Sequence, residues 1–205
     1  MTQPDDGSNA AFRVGFVEGA TPDKWARVWR ERFTERLELV PLEPRTQEAG
    51  LRDGTLAMAL LRAPVDRDLL HLIPLYEEDP VVVAGRDHLV AAADEVTLAD
   101  LADEQLVHPL DPGHGSDWTP SVDQLAWPPM TWAEAIETVA AGTGVAIVPQ
   151  SVARLHHRRD VVVRPVLDLS PTRIGLAWRI DDDDPRLEDF IGVVRGRTAR
   201  SSRGR

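Results

Sequence analysis

The chain of 205 residues contains no cysteine, which excludes disulfides, thiol catalysis and cysteine-ligated metal sites. It also lacks any window close to 18 consecutive apolar residues, so the sequence predicts no transmembrane helix. The acidic and polar start, MTQPDDGSNAAF, has neither the basic nor the apolar segment of a signal peptide. From these absences we expect a cytoplasmic protein that makes no membrane contact.

Basic residues are scarce, since 23 Lys and Arg stand against 34 Asp and Glu and give a net charge of −11. A domain that binds DNA by itself usually presents a basic face, because phosphate contacts supply most of the non-specific affinity. The charge balance therefore argues against direct binding of nucleic acid. The arginine-rich residues 195–205 are an exception, which we interpret as a disordered, solvated tail.

Motifs of serine hydrolases, phosphate-binding loops and zinc peptidases are absent from the sequence. Three carboxylates cluster at Glu77, Glu78 and Asp79, but no candidate base accompanies them. His156 and His157 are adjacent, so their side chains diverge on a helix or a strand, which disfavours a shared metal. We expect no metal and no cofactor.

The strongest local signals lie in residues 131–155. Thr131 and Glu134 have the spacing of a capping box at the start of a helix. Gly142 is placed to end that helix, because glycine adopts the left-handed conformation freely. The short apolar run of residues 145–148 then predicts a buried strand, so this segment forms a helix–turn–strand unit.

The remaining chain alternates strand and helix patterns, which predicts an α/β fold. The first part reads β-α-β-α-β, and such crossovers give a parallel sheet with helices on its faces. The predicted strands are residues 12–17, 37–42, 55–61, 106–109, 161–166 and 172–179. Helices are predicted from Thr21 as N-cap to about residue 34, and over 46–52, 116–125 and 185–194.

Residues 139–151, VAAGTGVAIVPQS, resemble the effector-binding domain of LysR-type transcriptional regulators, whose pattern is roughly V-A-A-G-x-G-V-A-x-[VL]-P-x-S. Residues 51–62 are similar to the family's L-R-D-G-x-L-x-x-A-L-x-R, with Ala57 where Asp is usual. The resemblance spans about residues 12–194. The eleven preceding residues cannot hold the family's winged helix-turn-helix, so we expect a stand-alone sensing domain.

The resemblance implies the periplasmic-binding-protein type II fold, with two Rossmann-like α/β lobes, two crossing strands and a ligand cleft between the lobes. The implied crossings lie near residues 82–84 and 164–167. We therefore predict a disordered leader at 1–11, lobe I at 12–83 and 167–194, lobe II at 84–166, and the basic tail at 195–205.

Candidate ligand contacts follow from the ends of strands and the starts of helices. In open α/β sheets, ligands bind beyond the carboxyl ends of the strands, where helix N-termini favour anions. Arg62 closes the third strand, its guanidinium suits a carboxylate, and by resemblance this position belongs to the effector site. The predicted contacts are Gly19, Ala20, Thr21, Arg62, His108, Asp111, Thr131 and Trp132.

Purely structural roles remain open for these residues. Arg62 would then form a surface ion pair, Thr21 and Thr131 would only cap helices, and His108 would make an ordinary hydrogen bond at a strand end.

These observations predict a regulatory domain that binds a small anionic effector by cleft closure, is not an enzyme, and does not bind DNA by itself. Its output would pass to a second copy in a homodimer or to a separate DNA-binding protein. Two alternatives are kept: a dehydratase-like enzyme on the same fold that acts on a small carboxylate, and the solute-binding protein of a transporter, which would need export.

Overall fold

The computed structural model describes residues 11–107 and 116–196, which form a mixed α/β fold. The strands are β1 (Phe12–Val17), β2 (Leu37–Leu42), β3 (Met58–Arg62), β4 (Leu70–Glu78), β5 (Pro80–Gly85), β6 (Val145–Pro149), β7 (Val161–Pro165) and β8 (Thr172–Arg179). The α-helices are α1 (Asp23–Arg32), α2 (Ala49–Arg52), α3 (Trp132–Ala140), α4 (Gln150–Leu155) and α5 (Pro185–Val194). Short 3-10 helices cover Pro44–Thr46, Leu89–Ala92 and Ala99–Leu101.

The strands form two sheets. The five-stranded sheet has the order β2-β1-β3-β8-β4, and the three-stranded sheet has the order β6-β5-β7. β1 is parallel to both β2 and β3, which confirms the parallel arrangement predicted for the first part of the chain. β5 is antiparallel to both β6 and β7.

The chain divides into two compact units. Among the described residues, the first comprises 11–61, 65–74 and 175–196, and the second comprises 62–64, 75–107 and 116–174. The predicted lobe boundaries at 83/84 and 166/167 both fall inside the second unit. They differ from the observed division because β5 pairs with β6 and β7 along its whole length and so belongs with them.

Aromatic side chains organise the core of the first unit. Phe12 of β1 stacks on Trp29 of α1 with ring centroids 5.2 Å apart, and Phe190 of α5 lies 5.9 Å from Phe12. The indole N–H of Trp29 donates to the carbonyl oxygen of Glu35 at 2.8 Å, so this buried polar atom is satisfied. The helical aromatic stripe of α1 therefore serves core packing, because these rings hold α1 and α5 against β1.

The core of the second unit lies on both faces of its sheet. Val81 and Val83 of β5 pack in one cluster with α3 and α4, whereas Val82 and Ala84 pack in the other. Successive side chains of a strand point to opposite faces, which explains why this strand is a continuous apolar run.

The predicted helix over residues 116–125 is wrong, because this segment is irregular. Side-chain amides satisfy backbone groups there in place of helical hydrogen bonds. The Leu106 N–H donates to Gln124 Oε1 at 2.7 Å, and the Leu125 N–H donates to Gln105 Oε1 at 2.9 Å. Pro120 also lacks the N–H that a helix interior needs.

Candidate functional site

Gly19, Ala20 and Thr21 lie in the connection between β1 and α1. Gly19 has a φ of 87°, and the Ala20 N–H donates to the carbonyl oxygen of Val17 at 3.1 Å. The prediction that Thr21 caps the helix is wrong. The N-cap is Pro22, without a side-chain cap, and its carbonyl oxygen accepts from the Trp25 and Ala26 N–H groups at 2.9 Å. The Thr21 side chain is exposed.

Arg62 is the last residue of β3, as predicted, and it is buried. Its exposed fraction is 8% and that of Glu78 is 7%. The Arg62 Nη1 group donates to Glu78 Oε2 in a short ion pair and also to the hydroxyl oxygen of Thr172 at 3.0 Å. Arg62 is thus not a surface ion pair. All three residues belong to the second unit.

Tyr76 lies in the electrostatic field of this pair. Burial, and then the neighbouring Glu78 carboxylate, raise the pKa of Tyr76 to about 12, while the Arg62 guanidinium opposes the change. Tyr76 and Glu78 are two residues apart on β4, so their side chains share one face of the strand. Arg62, Glu78 and Thr172 therefore form a buried polar cluster, and the half-buried Tyr76 lies within reach of its charges.

Sequence reasoning did not identify Tyr76, Glu78 and Thr172 as partners of Arg62. The alternation of β4 would have placed Tyr76 and Glu78 together. Their proximity to Arg62 depends on strand neighbours, because Thr172 lies 110 residues along the chain from Arg62. Only the order β3-β8-β4 brings the three strands side by side.

Thr131 forms the predicted capping box at the start of α3. Its hydroxyl oxygen accepts from the Glu134 N–H at 3.3 Å, and Glu134 Oε2 accepts from the Thr131 N–H at 2.7 Å. The Thr131 hydroxyl also donates to Glu134 Oε2 at 2.9 Å. The backbone donor first, and this hydroxyl donor second, hold the pKa of the Glu134 carboxyl below its usual value. Trp132 is buried in the core cluster around Val81. Both residues thus have structural roles, and their contact with a ligand remains a prediction.

Two predicted contacts, His108 and Asp111, lie outside the described residues, as does most of the loop that contains them. Across residues 11–107 and 116–196, no group of three His, Asp or Glu side chains is arranged to hold a metal ion. No helix in the same ranges has the length and apolar composition needed to cross a membrane.

The family model of the LysR substrate binding domain matches residues 6–199. The chain belongs to this family. The Hca operon transcriptional activator HcaR of Escherichia coli (strain K12) is 30% identical to it over 203 residues, which are 91% of this chain and 67% of HcaR. This chain thus spans about two thirds of the length of such curated relatives. Those relatives are transcriptional regulators.

Solved structures agree with this assignment at the level of fold. The effector-binding domain of BenM with its effector benzoate is 20% identical, with a TM-score of 0.74 and coverage of 95% of each chain. The hydrogen peroxide-bound C206S mutant of OxyR from Corynebacterium glutamicum is 25% identical, with a TM-score of 0.70 and coverage of 93% of this chain and 69% of that one. The LysR substrate-binding domain has the periplasmic-binding-protein type II fold, as predicted.

Proposed function

We propose that this LysR substrate-binding domain is a regulatory module that binds a small anionic effector, with Arg62 as the group that recognises its charge. The observation that carries the proposal is the buried guanidinium at the carboxyl end of β3. A buried arginine forms strong, directional hydrogen bonds to carboxylates. That BenM has benzoate, a carboxylate, as its effector supports the proposed ligand class.

Glu78 occupies this guanidinium. An incoming carboxylate must therefore share Arg62 with Glu78 or replace it, and it must compensate for the interaction that is lost. Thr172 remains as a second partner that steadies the guanidinium during the exchange. Effector affinity thus depends on how much more strongly Arg62 binds the effector carboxylate than the Glu78 carboxylate, rather than on Arg62 alone.

Binding would act by shifting the population of conformations toward the one that binds the effector better. The net charge of −11 supports a module that does not bind DNA by itself. Action in the cytoplasm through a second copy of the chain or a separate DNA-binding protein stays part of the proposal. The roles of Gly19, Ala20, Thr21, His108, Asp111, Thr131 and Trp132 as ligand contacts stay predictions.

The test is a thermal-shift titration with benzoate. Stabilisation follows RT ln(1 + [L]/Kd), about 2.7 kcal/mol at a hundredfold excess over Kd. The informative variant is Arg62→Met with Glu78→Leu, because it removes the anchor without leaving a buried charge unpaired. The matched control is Arg173→Gln, which breaks the exposed Arg173–Glu77 pair at 2.8 Å but leaves Arg62 in place.

We expect benzoate to stabilise the wild type and the control more than the double variant, which lacks the Arg62 guanidinium. Glu78→Gln removes the competing charge and should tighten binding. Equal stabilisation of all four proteins would refute Arg62 as the anchor, and no stabilisation by benzoate or other small carboxylates would refute the anionic ligand class. Sedimentation at rising concentration tests the homodimer, and a gel-shift assay of the isolated domain tests DNA binding.

A further inference from the structure

A small recess opens in the second unit beside the edge strand β7. Its volume is about 310 Å³. Aliphatic side chains form its floor, of which those on β5, α3 and α4 are buried and those on β7 are half-buried. The floor residues are Val83, Ile136, Ala153, Val161 and Val163.

The recess exists because the helices cover the sheet incompletely. α3 and α4 pack against β5 and β6, whereas β7 lies at the edge of the sheet. Val161 and Val163 of β7 point to the same face as the core cluster of α3 and α4 and pack against it. Their half-buried side chains leave apolar surface that a ligand could remove from water at about 25 cal/mol per Å².

The rim of the recess carries hydrogen-bond donors from the connection between α4 and β7. His156, His157 and Arg158 line it, and no Asp or Glu does so among the residues that the structure describes. This is notable in a chain with a net charge of −11. The rim therefore offers hydrogen-bond donors to a ligand, while the Asp160 carboxylate that pairs with Arg158 partly offsets the positive charge there.

Arg158 is held in place by its neighbour Asp160. Its Nε and Nη2 groups donate to the two carboxylate oxygens of Asp160 at 2.9 and 2.8 Å. This bidentate contact fixes the plane of the guanidinium. No described residue accepts from its Nη1 group, which is therefore available to a ligand.

We propose that this recess is a second small-molecule site, separate from Arg62, that binds a planar aromatic carboxylate. The aromatic ring would lie on the valine floor and the carboxylate on the rim at Arg158 and the histidines. The volume is at the lower end of the range for ligand pockets, about 300 to 1,000 Å³. It suits a ligand of one or two rings.

The experiment uses 2-naphthoate as the probe and isothermal titration calorimetry as the readout. The protein is the full chain carrying Arg62→Met and Glu78→Leu, so a failure of the Arg62 site does not affect the result. Val161→Phe fills the recess with a side chain that strands tolerate, and Val161→Thr makes the floor polar at similar size. Arg158→Gln removes the rim charge, and Arg154→Gln is its control on the exposed face of α4.

We expect one 2-naphthoate per chain, with affinity reduced about tenfold or more, or about 1.4 kcal/mol, by Val161→Phe, Val161→Thr and Arg158→Gln. Arg154→Gln should not change the affinity, and the neutral 2-naphthamide should bind more weakly than 2-naphthoate.

No binding of 2-naphthoate, or binding that neither Val161 variant changes, overturns the proposed site. Equal affinity for acid and amide overturns the carboxylate class. If Val161→Phe changes only the self-association of the chain, the recess binds a second copy of the chain and the proposal is overturned.

Discussion

Tyr76 is the single tyrosine of the chain, and its titration reports directly on the buried Arg62–Glu78 pair. A tyrosinate absorbs at longer wavelength than the neutral phenol, and the six tryptophans do not titrate. We expect the folded chain to ionise with a pKa of about 12 for Tyr76, against about 10 for an unperturbed tyrosine. A spectrophotometric titration measures this value without any label, and Tyr76→Phe provides the baseline.

Two variants separate the effects of the Glu78 and Arg62 charges on the pKa of Tyr76. Glu78→Gln removes the like charge, so the pKa of Tyr76 must fall; it should stay above 10, because burial outweighs the opposing effect of Arg62. Arg62→Met removes the stabilising cation, so the pKa must rise. Opposite directions from the two variants would establish that both charges reach the phenol.

The same shift predicts how stability depends on pH. The folded chain keeps the Tyr76 proton between pH 10 and about 12, whereas the unfolded chain has already lost it. The free energy of unfolding therefore falls as pH rises through this window, with no effect below pH 10. Since the ring is only half-buried, solvent screening reduces the loss to about 1 kcal/mol. Circular dichroism must show the chain folded during the titration. A folded chain whose tyrosine ionises near pH 10 would refute the reasoning.

Three further predictions concern stability in urea. Arg62→Met alone should lower the free energy of unfolding by about 3 to 5 kcal/mol, because Glu78 stays buried and unpaired, and adding Glu78→Leu should restore it to within about 1 kcal/mol; equal losses would contradict this. Thr131→Ala should cost about 1 kcal/mol through the lost cap, and no loss would argue that the cap is dispensable. Gly144→Ala should cost about 3 kcal/mol, because φ is 65° and the new Cβ would lie 2.1 Å from the Gln105 carbonyl oxygen. Gly142→Ala, at a φ of 90° with no atom within 4 Å, is its control at about 1 kcal/mol.

Much of the fold was predictable because its signals are local. The capping box of Thr131, the glycine that ends α3 and the apolar run of β6 lie within twenty residues, and the structure contains all three. The error over residues 116–125 has the opposite cause. Gln105 and Gln124 lie 18 or more residues from the backbone groups that they satisfy, and no local pattern reveals such a competition with helical hydrogen bonds.

The candidate site was less predictable, because its chemistry depends on pairing across strands. Residue type and position correctly placed Arg62 at the end of β3. They did not indicate that its guanidinium is buried, or that Glu78 and Thr172 bind it, since these residues come from two other strands. The same arginine on an exposed strand end would form a pair worth at most about 1 kcal/mol. Because Arg62 is buried, the loss of either partner should lower the free energy of unfolding by more than the loss of an exposed partner would.

This difference changes what a ligand at Arg62 must achieve. An exposed arginine would accept any carboxylate at little cost, and affinity would then report mostly on the ligand. Here, replacing Glu78 leaves a carboxylate that must find another partner, take up a proton or reach water. A ligand that only replaces the Glu78 carboxylate with its own gains no net binding free energy from the exchange. If Arg62 is the proposed effector site, selectivity must therefore come from contacts beyond the carboxylate, and the body of the ligand, rather than its charge, would decide which effector binds.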